Sequence, residues 1–294
     1  VPDAPTPADA LKRAEAFIEK WKADPLVTPA VAPHAPHTVE PETLKAARAL
    51  ANTYGVPLLI HLAETQDEVK TVQAAHQLSP AMYLDSLGLW DGRSLAAHAV
   101  WLDDRDMTTL GKKGVGLAHN PASNMKLASG VAPVPKWLSH NIPSGLGTDG
   151  AASSNDLDMF EAMRLATLLQ KVTALDPRAL PARQVLEMAT RRGADALGLG
   201  KAIGSLEPGK QADLITVTVD GARQSPMFDP VSHLVYVCHG DDVRNTIVAG
   251  RVLMRDRRVL TLDRTEVLRD ARAMAERVAV AVGAPSPTGV PHGR

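Results

Sequence analysis

From Thr6 to about residue 200, short apolar runs alternate with longer stretches whose apolar residues recur every three or four positions. Runs of the first kind predict buried strands, and stretches of the second kind predict amphipathic helices. A helix is expected from about Pro7 to Ala23, with Thr6 or Asp9 near its cap and Leu11, Phe17 and Ile18 among its apolar residues. A β-like run, LVTPAVAP, leads to His34, and ETLKAARALANTYG reads as a helix stopped by Gly55. The strand VPLLIH ends at His61 and feeds the helix TQDEVKTVQAAHQL. RSLAAHAVWL places His98 near a strand end, GVGLAHN ends at His119, and IPSGLGTD ends at Asp149. DDRDMTTLGKKG, VPKWLSHN and DMFEAMRLATLLQKV supply helices between and after them. Short apolar strands flanked by helices mark a parallel sheet covered on both faces.

The alternation gives about five β/α units. A complete eight-stranded α/β barrel takes roughly 250 residues, so the pattern fits either an open sheet or part of a barrel. After Gly204 the texture changes. GSLEPGKQADLITVTVD, VSHLVYVC and NTIVAGRVLMRDRRVLTL read as strands and hairpins, with Pro208-Gly209 as a turn signal. The expected division is 1–200 for the partial barrel, 201–262 for the β-rich segment, 263–281 for a last helix (its core about Glu266 to Val280) and 282–294 for a flexible tail.

Composition narrows the function classes. The 32 basic and 33 acidic residues leave a formal net charge of -1, and no basic block is present to favour nucleic acid or an anionic membrane. The lone cysteine, Cys238, rules out an internal disulfide framework and suits a reducing compartment. No apolar run reaches the length of a membrane span, and the first residues lack the basic and apolar regions of a signal peptide, so a cytoplasmic protein is expected.

The polar residues at the expected strand ends then carry the chemistry: His34, His61 with Glu64, His98, His119 and Asp149. Parallel α/β folds place their sites at the carboxyl ends of strands. Such a set suits water activation by a metal, since zinc accepts imidazole nitrogen and carboxylate oxygen and acidifies a bound water. His61 and Asp149 are candidate ligands, and Glu64 stands one helical turn on, placed to act on a substrate. Two ligands are fewer than a catalytic zinc takes. His34 and His98 are the candidates for completing the set, and the chain contains no His-x-His pair.

APHAPHTV, HLAETQDEV, GLAHNPASNMKLASG, GLGTDGAASSNDLDMFEAMRLA and GSLEPGKQADLITV together resemble the amidohydrolase superfamily, and more narrowly the 5-methylthioadenosine/S-adenosylhomocysteine deaminases. The resemblance runs from about Thr6 to Leu262. It implies a (β/α)8 TIM-like barrel with a small β-sandwich, of which this chain would hold about five β/α units and the C-terminal part of the sandwich. It implies one zinc per active site, other divalent metals being possible, with His61 and Asp149 as ligands and the remaining two in a His-x-His motif that has no match here. The first three barrel strands would be missing with it, along with contacts to the ribose and the amino-acid tail. By the same resemblance His34 contacts the purine, Glu64 protonates the ring nitrogen next to the reacting carbon, His98 hydrogen-bonds the attacking water, and Asp149 accepts its proton. The implied catalytic residues are Glu64, His98 and Asp149, and those touching substrate are His34, Glu64 and Asp149. The implied reaction is hydrolytic deamination at adenine C6, with little or no activity expected of this chain alone. His37 stands where the family often has tyrosine.

Two other accounts compete. One keeps the chemistry on another aminopurine, an aminopyrimidine or a triazine, which product analysis separates. The other is a non-catalytic remnant or scaffold, which zinc content and turnover separate. The expected partner is a small-molecule nucleoside, with no nucleic acid or membrane, and with homo-oligomers possible. The four tryptophans, Met159, Met163, His76, His140 and Cys238 read as structural, Asn124, Lys126 and Leu127 as loop formers, and Arg191 and Arg192 as the end of a helix.

Overall fold

The computed structural model describes residues 4–285. These residues form two compact units. One runs through Gln211 and takes in Val219–Asp242; the other comprises Ala212–Thr218 and the chain from Val243 onward. Of the expected tail, Val282 closes a helix, and residues 286–294 lie outside the described residues.

In the first unit, β1 (Leu58–Leu62), β2 (Ser94–His98), β3 (Gly116–His119) and β4 (Ser144–Leu146) pair in parallel, in the order β1-β2-β3-β4. Each strand hydrogen-bonds to the next one in the chain, which is how a barrel wall is wound; a doubly wound sheet would reverse its order at a switch point. Val31 adds one parallel bridge to Leu58 on the free side of β1. LVTPAVAP therefore contributes a bridged residue and no strand, because Pro29 and Pro33 lack the N–H a ladder requires. Along β1, Leu58, Ile60 and Leu62 are buried while Leu59 and His61 are half-buried, the alternation expected of a pleated strand.

The helices start and stop where the chain supplies partners for their free backbone groups. Pro7–Trp21 begins with the Thr6 hydroxyl accepting the Asp9 N–H at 3.2 Å. Pro41–Tyr54 ends at Gly55 in the left-handed conformation, and buries Leu44, Ala47 and Ala51 along one stripe. Asp103 and Asp106 form a reciprocal capping box before Asp104–Lys113. Arg191 and Arg192 open the helix Arg191–Ala196 and do not close one. That helix crosses β3 and β4 at very short range. A Cβ at Gly116 would meet the Ala196 carbonyl, and one at Gly145 would lie 2.7 Å from the Gly193 Cα. Gly116→Ala is accordingly expected to destabilise the fold by about 1–3 kcal/mol, read as a lowered urea midpoint; an unchanged midpoint would show that the helix can move aside.

The stretch VSHLVYVC is helical, not extended: Pro230–Tyr236 is a helix with proline in its first turn and the Asp229 carboxylate accepting the Ser232 N–H at 2.9 Å. The second unit holds β5 (Leu214–Val217), β6 (Val243–Val248), β7 (Arg251–Arg255) and β8 (Arg258–Val259), an antiparallel sheet in that order, and the helix Arg264–Val282, one residue further on than the expected 263–281. Among the described residues no helix is long and apolar enough to cross a membrane.

Candidate active site

Left-handed backbone gathers at the carboxyl ends of the parallel strands. Ala63 (φ 47°), His98 (φ 71°), Ala99 (φ 49°) and Asp149 (φ 61°) all adopt it without being glycine. Non-glycine residues avoid this region by roughly 1–2 kcal/mol each, and such residues cluster where a site fixes geometry. At His98 the effect is visible. The register sets His61 opposite Ala97 and Leu62 opposite His98, so plain alternation would point the two imidazoles to opposite faces. The turn at His98 brings the rings together instead, 5.4 Å between centroids and 22° from parallel. Asp149 follows β4 by three residues and does not end it; its Oδ1 accepts the Gly150 N–H at 2.7 Å just before the helix Ala151–Ser154.

Glu64 sits among three neighbours. Its Oε1 accepts the Ser129 hydroxyl at 3.3 Å, and its Oε2 lies 3.8 Å from His98 Nε2. Both its own N–H and that of Ala63 are bonded to the buried carboxylate of Glu68, at 2.8 and 2.7 Å. Ser129 is in turn fixed by its backbone, its N–H donating to Asn124 O at 2.8 Å and its carbonyl accepting the Trp101 indole N–H at 2.8 Å. His98, 1% exposed, is held through Nδ1 by Asn124 Oδ1 at 2.8 Å, which leaves Nε2 for the Glu64 side. Sequence reasoning missed Glu68, Asn124 and Ser129 as parts of this arrangement; only Thr65-x-x-Glu68, a capping-box signature, gave any signal.

His61 bonds the His34 carbonyl twice, through its backbone N–H at 3.1 Å and through ring Nδ1 at 2.7 Å. That leaves Nε2 free, and a carbonyl on the second ring nitrogen is the usual support of a metal-ligating histidine. Burial pushes the Asp149 carboxyl up, but the Ser123 hydroxyl, the Gly150 N–H, and His98 and His61 more than offset it, holding Asp149 below the usual carboxylate range. An ionised, partly buried carboxylate and a free imidazole nitrogen fit two positions of a metal. Among the described residues, however, no group of three or more His, Cys, Asp or Glu side chains is placed to hold one ion. His34 and His98 therefore do not complete the set: His34 Nδ1 is turned to the Thr38 hydroxyl at 2.7 Å and His98 Nε2 to Glu64.

His34 lies beside His61, 5.0 Å between ring centroids. Burial first, then His61 and His37, lower its pKa against the pull of Glu64. His119 is fully buried edge-on against Trp137, 5.9 Å between centroids, and neither ring nitrogen has a hydrogen-bond partner among the described residues. Burial, with His98 nearby, drives its pKa down to about 3, so it is an uncharged packing residue. Trp90 and Trp137 are buried too, and Trp90 cannot stack on a ligand. A groove of about 1110 Å³ between the helices Pro7–Trp21 and Pro41–Tyr54 includes His34 and Thr38 in a largely apolar lining, but none of His61, Glu64, His98 or Asp149.

Known proteins share this arrangement of chain. The 5-methylthioadenosine/S-adenosylhomocysteine deaminase of Syntrophobacter fumaroxidans is 46% identical over 270 residues, covering 92% of this chain and 62% of the relative. The 5'-deoxyadenosine deaminase of Methanosarcina barkeri is 46% identical over 279 residues, covering 94% of this chain and 64% of the relative. A crystal structure of an adenosine deaminase from Xanthomonas campestris with bound zinc superposes with a TM-score of 0.89 at 37% identity, covering 92% of this chain and 61% of that one. The chain thus spans less than two thirds of the length of the relatives it matches. Its α/β fold is TIM-barrel-like, and with the model of the amidohydrolase family matched over residues 3–253, the chain belongs to the amidohydrolase family.

Proposed function

We propose that this chain carries the catalytic face of a metal-dependent deaminase that replaces the amino group at C6 of an adenosine-type nucleoside by oxygen, with 5-methylthioadenosine, S-adenosylhomocysteine and 5'-deoxyadenosine as the candidate substrates. The observation that carries the reading is Glu64, a carboxyl with one oxygen engaged by Ser129 and the other turned toward His98. A carboxyl so held can give a proton to a ring nitrogen and steady the charge that develops there. The names and identities of the relatives support the nucleoside class. In fold terms, the four strands and the Val31 bridge correspond to five positions of an eight-stranded wall, and β5 to β8 to part of a β-sandwich.

The zinc of the solved neighbour supports a metal in this protein too. His61 and Asp149 would hold it here; when bound, it acidifies a water and so supplies the nucleophile at neutral pH. Asp149, kept ionised, takes the proton that water gives up. Glu64 delivers a proton to the ring nitrogen beside C6, and His98 Nε2 orients the attacking oxygen. His34 contacts the purine. The added hydroxyl returns a proton to Glu64, Asp149 passes its proton to the amino group, and collapse at C6 expels that group as ammonia and leaves a 6-oxopurine.

Product analysis tests the reading. Zinc-loaded protein given each of the three nucleosides is expected to release ammonia and the matching 6-oxopurine nucleoside, and zinc-loaded protein that yields neither from any of them overturns it. Elemental analysis of this chain alone is expected to find well under one zinc per chain, because its described residues offer two donors where a catalytic zinc takes three. One tightly held zinc would refute that count.

A further inference from the structure

Glu68 is the least expected group near the site. It is 3% exposed, and burial raises its pKa against the hydrogen bonds of the Glu64 and Ala63 N–H groups, with His98 as a weaker favourable neighbour. A carboxylate buried without a cation is unfavourable unless its oxygens are well bonded. Here they are. Thr65 and Glu68 have the spacing of a capping box, and the Thr65 hydroxyl accepts the Glu68 N–H at 3.1 Å as such a box requires. The Glu68 carboxylate does not return to the Thr65 N–H. It passes beyond the cap, one oxygen accepting the Ala63 N–H at 2.7 Å and the other the Glu64 N–H at 2.8 Å. Those two amides flank the left-handed residue Ala63, at the bend that carries the chain from β1 toward the helix Gln66–His76.

From this geometry we infer that Glu68 is a positioning residue for Glu64: its buried carboxylate clamps the strained Ala63–Glu64 peptide pair and thereby sets where the Glu64 carboxyl stands against His98 and Ser129. A carboxylate accepts from both amides at once, whereas an amide side chain in its place must turn its N–H donors on one of them. A helix cap alone needs neither bond. The catalytic consequence rests on the deaminase reading of Glu64; the geometric one does not.

The test is nuclear magnetic resonance on the chain and three variants, with kinetics beside it. In the unaltered chain, Glu64 side-chain protons are expected to show nuclear Overhauser effects to the His98 ring. Glu68→Gln is expected to abolish these effects and to shift the Ala63 and Glu64 amide protons upfield. Thr65→Ala, which removes the cap but leaves the clamp, is expected to retain both signals despite a lower thermal midpoint. If Glu68→Gln does not fold, Glu68→Asp serves, keeping the charge on a side chain too short to span both amides. In protein that turns over, Glu68→Gln is expected to lower kcat about 100-fold with KM within about twofold, the size of effect that a small misplacement of a catalytic group produces. Overhauser effects that survive removal of the clamp, or that vanish equally in Thr65→Ala, overturn the proposal. Their disappearance in Glu68→Gln alone, in a zinc-loaded protein without deaminase activity, upholds the clamp and defeats the deaminase reading.

Discussion

Exchanging Glu64 for glutamine is expected to lower kcat for ammonia release by ~10²–10⁴ while KM changes by no more than about a factor of two. Glutamine has nearly the same shape, and its carbonyl can still accept from the Ser129 hydroxyl that lies 3.3 Å from Glu64 Oε1. What it lacks is a transferable proton for the ring nitrogen. The loss should therefore fall on the step in which charge moves and leave substrate binding alone. Zinc content should not change, since the donors assigned are His61 and Asp149. Steady-state kinetics and elemental analysis on one preparation check both halves. A loss of less than tenfold in kcat, or a parallel loss of zinc, would remove Glu64 from the acid's role.

The second large effect concerns stability. His119 has a folded-state pKa of about 3, against the ordinary 6.5 of an exposed imidazole. Between those two values the unfolded chain binds a proton that the folded chain refuses. The stability contribution of an uncharged His119 is therefore complete above pH 6.5 and is lost as pH falls toward 3. At roughly 1.4 kcal/mol per unit of displacement, the loss amounts to several kcal/mol. His119→Phe keeps a flat ring against Trp137, has no proton to bind and leaves no polar nitrogen buried. Its urea midpoint is expected to exceed that of the unaltered chain at pH 4.5 and to approach it at pH 7. Curves that stay parallel across this range would show that His119 reaches a partner when protonated.

β1 to β4 and the histidines toward the ends of β1, β2 and β3 were legible because apolar runs of the right length, bounded by glycine, proline and helix patterns, admit few other readings; LVTPAVAP failed at its prolines. The failures have local causes. VSHLVYVC looks extended because Leu234 to Cys238 is an unbroken apolar run rich in valine and tyrosine, yet Asp229-Pro230 is a helix start, and that signal outweighs so short a run. Thr190 precedes a helix with no side-chain cap bond, so the reading of Arg191 and Arg192 had no marker to correct it. The candidate residues were legible as strand-end polar groups, but the groups that hold them were not. Ser129 lies 65 positions from Glu64, and Asn124 lies 26 from His98. No periodicity encodes such pairings. Glu68 had a local signature, but its spacing says that a helix begins and not where the carboxylate goes.

The left-handed residues at the strand ends set stability and precision at odds. Ala63 and Ala99 hold a backbone conformation that glycine or asparagine would hold with less strain. Selection for heat resistance alone would favour those exchanges, since each relieves local strain. The same exchanges would let the ends of β1 and β2 relax, and with them the angles at which His61, Glu64 and His98 meet. A thermally improved descendant of this chain would then be sturdier and less exact, with its losses traceable to two small residues that touch no substrate.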